Sequence, residues 1–379
     1  DQVGSKLPMV PLEHPLMFFG PYEELSGTGA EIVYPLFRDQ GNSGYFRDTG
    51  DPATTEGGKI EWGYYETDSP VLVTANDIAE PGESRMSPSM RELSLEQVLE
   101  PMEKAMALVP LLGELGYEDR RSFNGLLSVT ADGGSLIGEA PEISGLWFAE
   151  AVWVKDGPGV GKVVADWMTK GSPEYDPYGI DIARFYPEQK QDDYVFGRCG
   201  EIAKKVYTPA VHPREPFETG RQLFKSPFYE REVALGGYFM EAAGWERAHG
   251  YAANEPTLLV KYRDQIPQRM NEWDSRHFWE VSNAEQLALS DDVGMVNLSH
   301  FAIYDIDGQS AEPFLEYLAV AKVGGATQVG KGVYTHFLDE KGGIRADLTI
   351  VRLSEDCFRV ICGGGTGHRD LVWIKQMAA

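Results

Sequence analysis

Cysteine is scarce in this sequence: only Cys199, Cys357 and Cys362 occur among 379 residues. Three cysteines at uneven spacing make no disulfide framework, and without a Cys-x-x-Cys pair they offer no zinc or redox motif. They read as reduced, mostly buried thiols, with Cys357 and Cys362 in an apolar, strand-like run, DCFRVIC. Long hydrophobic runs are missing too, since nothing approaches the roughly 18 apolar residues that a membrane helix needs. The opening DQVGSKLPMVPLEHPLMFF has neither a basic n-region nor a small-residue cleavage site, which argues against a signal peptide. Positive charge is in deficit: 34 Lys and Arg stand against 59 Asp and Glu, a formal net charge of −25. Such a surface repels phosphate backbones and anionic lipid heads, so neither nucleic acid nor a membrane is expected as a partner. The expectation is a soluble protein of the cytoplasm, or of the mitochondrial matrix in a eukaryote.

Catalytic motifs with strict spacing are equally sparse. The seven histidines are scattered and none forms a zincin pair, so no metal site is expected. A Gly-x-Ser-x-Gly elbow is absent. No Gly-x-Gly-x-x-Gly follows a first strand, so the dinucleotide fingerprint is missing. The glycines Gly157, Gly159 and Gly161 precede a helix-like stretch, which on pattern alone is as often a tight turn as a ligand cradle. A lone histidine such as His14 is by itself more often structural than catalytic.

What is present is a globular composition, 42% hydrophobic and 25% charged, long enough for two or three domains. The first third alternates short strands (EIVYPLFRD, SGYFRDTGD, KIEWGYYET) with turn residues, as antiparallel strands do. LEQVLEPMEKAMALVPLLGEL has helical periodicity interrupted at Pro101 and Pro110, which predicts one kinked helix or two short ones. GLWFAEAVWV reads as a buried strand leading to glycines and a helix with Val160, Val163, Val164 and Trp167 inward. Strand, glycine turn and helix aim backbone N–H groups and a helix dipole at an anionic or electron-rich ligand. From residue 271 on, WDSRHFWEVSNAEQLALS predicts a helix, GMVNLSHFAIYDID a strand and SAEPFLEYLAVAKV a helix. The hairpin GVYTHFL/RADLTIVRL, the strand CFRVICGG and a last helix from about Thr366 follow. This part is α+β.

Taken as ordered segments, the chain resembles the dimethylglycine/sarcosine dehydrogenase family. PLEHPLMFF looks like that family's strand whose histidine faces the flavin, and YPLFRD, GYFRDTGD and GGKIEWGYYE look like the substrate-side strands after it. FNGLLSVTADGGSLIGEAPEISGLWFAEAV and DGPGVGKVVADWM resemble the chain's return to the flavin fold. DIARFYP, SPFYE and AAGWERAHGYA match the connecting segment. NLSHFAIYDIDG, YTHFLDEKGGIRADLTIVRL and GHRDLVWI resemble the first half of a folate domain. The resemblance implies α/β and α+β architecture. Its parts are the C-terminal portion of a glutathione-reductase-like FAD-dependent oxidoreductase domain (1–172), a connecting central domain (173–229) and the N-terminal portion of a T-protein-like aminomethyltransferase domain (230–379). The family's fingerprint and the second folate half are not in this sequence, so the chain is expected to be an internal fragment and an incomplete enzyme.

The implied activity is FAD-dependent oxidative demethylation of an N-methyl amino acid, with the one-carbon unit passed to tetrahydrofolate. By position, the resemblance assigns catalysis to His14 and Tyr45. It places FAD contacts at Arg47, Gly157, Gly159 and Val160, and folate contacts at Tyr334 and Asp347. Implied partners are a small N-methylated amine and, as electron acceptor, electron-transfer flavoprotein or O2. Two departures bear on substrate choice: AVWVKDGPGVG lacks the usual Asn-Ser or His-Ser step, and WERAHGYA lacks the usual aromatic pair. Rival readings are a non-catalytic regulator of the same fusion architecture and a stand-alone aminomethyltransferase. The joint presence of His14 and Tyr45 weighs against the first, and residues 1–172 against the second.

Overall fold

The computed structural model describes residues 3–378 except 54–56, 79, 81, 83–86, 207–214, 273 and 326. Two compact units emerge: one comprises Pro8–Gly133 and Asp192–His212, the other Asp1–Leu7, Gly134–Gln191 and Pro213–Ala379. No helix among the described residues is long and apolar enough to cross a membrane.

The Pro8–Gly133 unit is built on six strands: β1 (Met9–Phe19), β2 (Phe37–Asp39), β3 (Gly44–Asp48), β4 (Ile60–Tyr64), β5 (Met90–Arg91) and β6 (Phe123–Thr130). They lie in the order β2-β3-β4-β1-β6-β5, every neighbouring pair antiparallel. Period-two alternation then sorts the side chains. Met17 pairs with Trp62, and Trp62 with Phe46, so these three share one face with Phe19. That face meets Val98, Ala105 and Leu112 from the helical segment above it, forming one buried cluster. Each large side chain so buried contributes about 1.5–3 kcal/mol. The helix Leu95–Leu108 runs through Pro101, because packing of its apolar stripe outweighs the lost hydrogen bond. It stops at Val109, whose ψ of 83° is the extended value imposed on the residue before Pro110. The result is two helices, with Leu112–Leu115 the second. The helix Asp192–Val206 packs on β1 and β6 and buries Cys199 completely. That burial pushes the Cys199 thiol up to about 12. All three cysteines are free; Cys362 is buried as well, while Cys357 is half-buried.

In the other unit a short hairpin, β7 (Leu136–Glu139) and β8 (Trp147–Glu150), precedes the helix Gly157–Lys170. The expected strand GLWFAEAVWV is thus only four residues long. It ends where Ala151 turns left-handed at φ 52°. A second hairpin, β9 (Gly237–Ala242) and β10 (Trp245–Tyr251), follows. Of the helix expected over residues 273–290, Trp273 lies outside the described residues and the helix runs over Trp279–Asp291, the Trp279 N–H bonding the Ser275 carbonyl in the turn before it. Likewise GMVNLSHFAIYDID yields strand only over β11 (Ala302–Asp307), with Met295 and Val296 exposed before it.

With β12 (Gly332–Leu338), β13 (Ile344–Arg352) and β14 (Cys357–Cys362), β11 forms an antiparallel sheet ordered β11-β14-β13-β12. One face is the core: Phe337, Leu348, Ile350, Phe358 and Val360 pack against Leu315, Leu318 and Ile374 of the helices Ala311–Leu318 and Gly367–Ala378. The opposite face carries Tyr334 and Asp347. The whole is a mixed α/β architecture, as the fold class read from the sequence requires.

Candidate active site

His14 sits mid-β1, on the face turned away from the helix Leu95–Leu108. Its one-strand neighbour position on the β4 side is Tyr65, since Leu16 pairs with Gly63. Tyr45 on β3 pairs with that same Gly63. The register therefore gathers three aromatic rings around a glycine. His14 Nε2 and the Tyr45 hydroxyl are 2.9 Å apart. The Tyr65 ring lies 4.4 Å from His14 and 5.7 Å from Tyr45, centroid to centroid. Gly63 is what permits this: a Cβ there would come within 2.0 Å of Tyr45 Cζ. Arg38 on β2, paired in register with Tyr45, lays its guanidinium carbon 4.9 Å from the Tyr65 centroid.

The electrostatics of the pair follow from this setting. Burial, then the positive charge of Arg38, lowers the His14 pKa to about 4, against a small opposing effect of the Tyr64 backbone. Tyr45 is held protonated, chiefly by burial and by Tyr65. Its hydroxyl can therefore donate to Nε2, which puts the ring proton on Nδ1. Nδ1 is buried without a partner at hydrogen-bonding geometry. At neutral pH the arrangement is an uncharged imidazole, oriented by a phenol, in a low-dielectric aromatic wall.

That shift has a consequence for stability. Between pH 6.5 and about 4 the unfolded chain binds a proton that the folded chain refuses. The His14 contribution is fully present above pH 6.5 and falls as pH drops, by roughly 3 kcal/mol at the low end. Urea unfolding of the wild type and His14→Gln at pH 7.5 and 4.5 measures it, and the wild type should lose more. An equal loss in both proteins would place the acid sensitivity elsewhere.

Arg47, also on β3, is bound by Glu61 across the strand at 2.8 Å. Its charge nonetheless still acts on Tyr45, as that of Arg38 does. Gly157, Gly159 and Val160 all fall in the first turn of the helix Gly157–Lys170, where no atom lies within 4 Å of a Cβ built on either glycine. The N–H of Gly157 bonds the Trp153 carbonyl at 3.2 Å, that of Val160 bonds the Asp156 carbonyl at 2.9 Å, and Asp156 occupies the N-cap, so the chain itself satisfies much of this helix start. Val160 is buried and anchors the turn.

Tyr334 and Asp347 come together on the open face of the second sheet, the hydroxyl donating to Asp347 Oδ2 at 3.0 Å. The register sets Asp347 opposite His336, whose Nε2 is 3.4 Å from the same hydroxyl. Asp347 raises the Tyr334 pKa through that hydrogen bond. Tyr65, Arg38, Gly63 and His336 were missed by sequence reasoning. Strand alternation from His14 and Asp347 could have pointed to them, but only once pairing registers were known.

Known proteins resemble the chain in the same sense. The family model described as FAD dependent oxidoreductase central domain matches residues 170–226, and GCVT N-terminal domain matches 228–379. A 4-methylaminobutanoate oxidase (formaldehyde-forming) of Paenarthrobacter nicotinovorans is 30% identical over 99% of this chain and 42% of its own length. The mitochondrial dimethylglycine dehydrogenase of Rattus norvegicus is 25% identical over 99% of this chain and 41% of its own. The mitochondrial sarcosine dehydrogenase of Mus musculus is 26% identical over 97% and 41%. The chain spans about two fifths of the length of these relatives. Over 97–99% of its length, the chain is similar to these three N-methyl amine oxidoreductases.

Proposed function

We propose that this chain serves FAD-dependent oxidative demethylation of an N-methyl amino acid of the dimethylglycine, sarcosine or 4-methylaminobutanoate type. The observation that carries the reading is the neutral His14 hydrogen-bonded to Tyr45 on an aromatic sheet face. FAD, when bound, supplies the two-electron acceptor for the N-methyl carbon. A protonated nitrogen has no lone pair to drive that oxidation, so the substrate must be held as the free amine. His14, neutral and buried, helps hold the amine in its uncharged form, and Tyr45 fixes the ring that does so.

The residues suit a flavin. Its flat ring system matches the wall of His14, Tyr45 and Tyr65. Gly157, Gly159 and Val160 are assigned to FAD on the resemblance alone. Arg47, paired to Glu61, is a candidate for the electrostatics of the first face. Tyr334 and Asp347 are assigned to tetrahydrofolate, with Asp347 as hydrogen-bond or proton acceptor when the one-carbon unit is captured. The domain division that goes with this reading is 1–172, 173–229 and 230–379. Reoxidation would fall to electron-transfer flavoprotein or O2.

Anaerobic mixing of the flavin-loaded protein with dimethylglycine should bleach the flavin band. During turnover with tetrahydrofolate, Asp347→Asn should leave bleaching unchanged, while free formaldehyde rises as methylene-folate falls. No bleaching with any N-methyl amino acid would end the demethylation reading. A product ratio unmoved by Asp347→Asn, with folate still bound, would remove Asp347 from the folate site.

A further inference from the structure

Strand β6 carries a glycine that neither its conformation nor its packing requires. Gly125 lies inside the eight-residue run Phe123–Thr130, and its φ is outside the left-handed region. A Cβ built there would meet Phe123 Cε2 at 3.5 Å and the His14 carbonyl oxygen at 3.8 Å, both ordinary contact distances. Gly63 is the contrast, since there the Tyr45 ring itself fills the place of a side chain. A glycine inside a strand weakens it, and one left bare without such a reason marks a place where something else approaches the backbone. The position is the one that faces His14. β6 pairs with β1 so that Gly125 stands directly opposite His14, and residues so paired project to one face with their Cβ positions about 4.5–5.5 Å apart. The neighbours on that face are Phe123 and Leu127 along β6 and Met90 across on β5. Gly125 is half-buried, so its backbone is reachable from that face. The result is a notch one side chain wide, with an apolar rim and the His14 imidazole as its wall.

We infer that the notch over Gly125 seats an N-methyl group of the substrate beside His14, and that Gly125 thereby limits the N-alkyl groups accepted to methyl. This rests on the demethylation reading of the same site. A methyl group is small and apolar, as the rim of Phe123, Leu127 and Met90 is, whereas the carboxylate end of an amino acid would lose its solvation there. Seating the methyl in the notch holds the nitrogen against the imidazole. A side chain at Gly125 would take the same space, and a longer alkyl group would press on the strand backbone, which packed neighbours hold in place. Gly125 acts by the room it leaves and takes no part in proton handling.

The test follows the His14 ring by NMR in protein labelled at histidine Cε1, so it needs no turnover. The wild type should bind dimethylglycine roughly 10–200-fold more tightly than N,N-diethylglycine, the range for a methylene that does not fit. Gly125→Ala should weaken dimethylglycine by roughly tenfold, the cost of overfilling a packed space, and Gly125→Val should abolish its binding. In Gly125→Ala the unliganded His14 signal should stay at its wild-type position and the urea midpoint should stay or rise. The inference is overturned if dimethylglycine leaves the wild-type His14 signal unmoved, if the two amines bind equally, or if the folded variants keep wild-type affinity. It is overturned as well if Gly125→Ala lowers the urea midpoint or shifts the unliganded signal, because the glycine would then be a structural requirement. A third probe, 3-methylbutanoate, has the shape of dimethylglycine without its nitrogen. Should it bind as tightly and with the same dependence on Gly125, the notch stands while the amine reading at His14 falls. Dimethylglycine that moves His14 with no dependence on Gly125 leaves the demethylation reading in place and removes the notch.

Discussion

Replacing His14 with alanine should slow reduction of the bound flavin by an N-methyl amino acid by roughly 10²–10⁴-fold, the usual value of a positioned acid–base group. The ring accepts the hydrogen bond of the Tyr45 hydroxyl at 2.9 Å, so alanine removes both the imidazole that faces the amine and the orientation of the phenol. Because the folded His14 pKa is already near 4, the ring is neutral from pH 6 to 9. The deficit should therefore be nearly constant across that range rather than appearing only above pH 6.5. Anaerobic stopped-flow at several pH values measures it. Tyr45→Phe is the informative companion, since it keeps the aromatic wall and deletes only the hydroxyl; a smaller loss is expected. Reduction as fast in His14→Ala as in the wild type would leave His14 a structural residue.

Arg369→Met should destabilise the unit that holds the second sheet by about 3–5 kcal/mol, the cost of stranding a buried charge. Arg369 is 2% exposed and Asp181 is equally buried. The guanidinium bonds Asp181 through Nε at 3.2 Å and contacts Asp176 through Nη2, tying the helix Gly367–Ala378 to the 173–191 segment. Arg345, 3.8 Å from Asp181, can take over part of the neutralisation, which favours the lower end of the range. Replacing both members, Arg369→Met with Asp181→Leu, should cost less than Arg369→Met alone, because no uncompensated carboxylate is left in the interior. Urea unfolding of the three proteins decides the matter. A loss under about 1 kcal/mol for the single variant would mean that water reaches the pair.

Several elements were legible from local pattern. The strand around Tyr45, the hairpin of β12 and β13 and the strand β14 follow from periodicity and turn residues, whereas the glycines expected as a turn before a helix lie inside the helix Gly157–Lys170. The misses have local causes as well. The helix begins at Trp279 because the residues just before it fold as a turn on Ser275, and the apolar run through Met295 and Val296 stays outside any strand. Apolar content in a short segment does not distinguish a strand from an exposed loop until something is there to pack against it.

The sequence by itself determined the alternation that gives β1 and β13 two unlike faces, the stop at Pro110, the soluble-type charge balance and the family likeness. Those depend on neighbouring residues or on ordered segments, which a linear text preserves. Only the tertiary structure decided that His14 meets Tyr45 across 31 positions, that Arg38 reaches Tyr65, and that Arg47 pairs with Glu61. These contacts depend on which strands pair and in what register. A slip of one residue would turn each side chain to the opposite face, so the site exists only once the sheet has closed around Gly63.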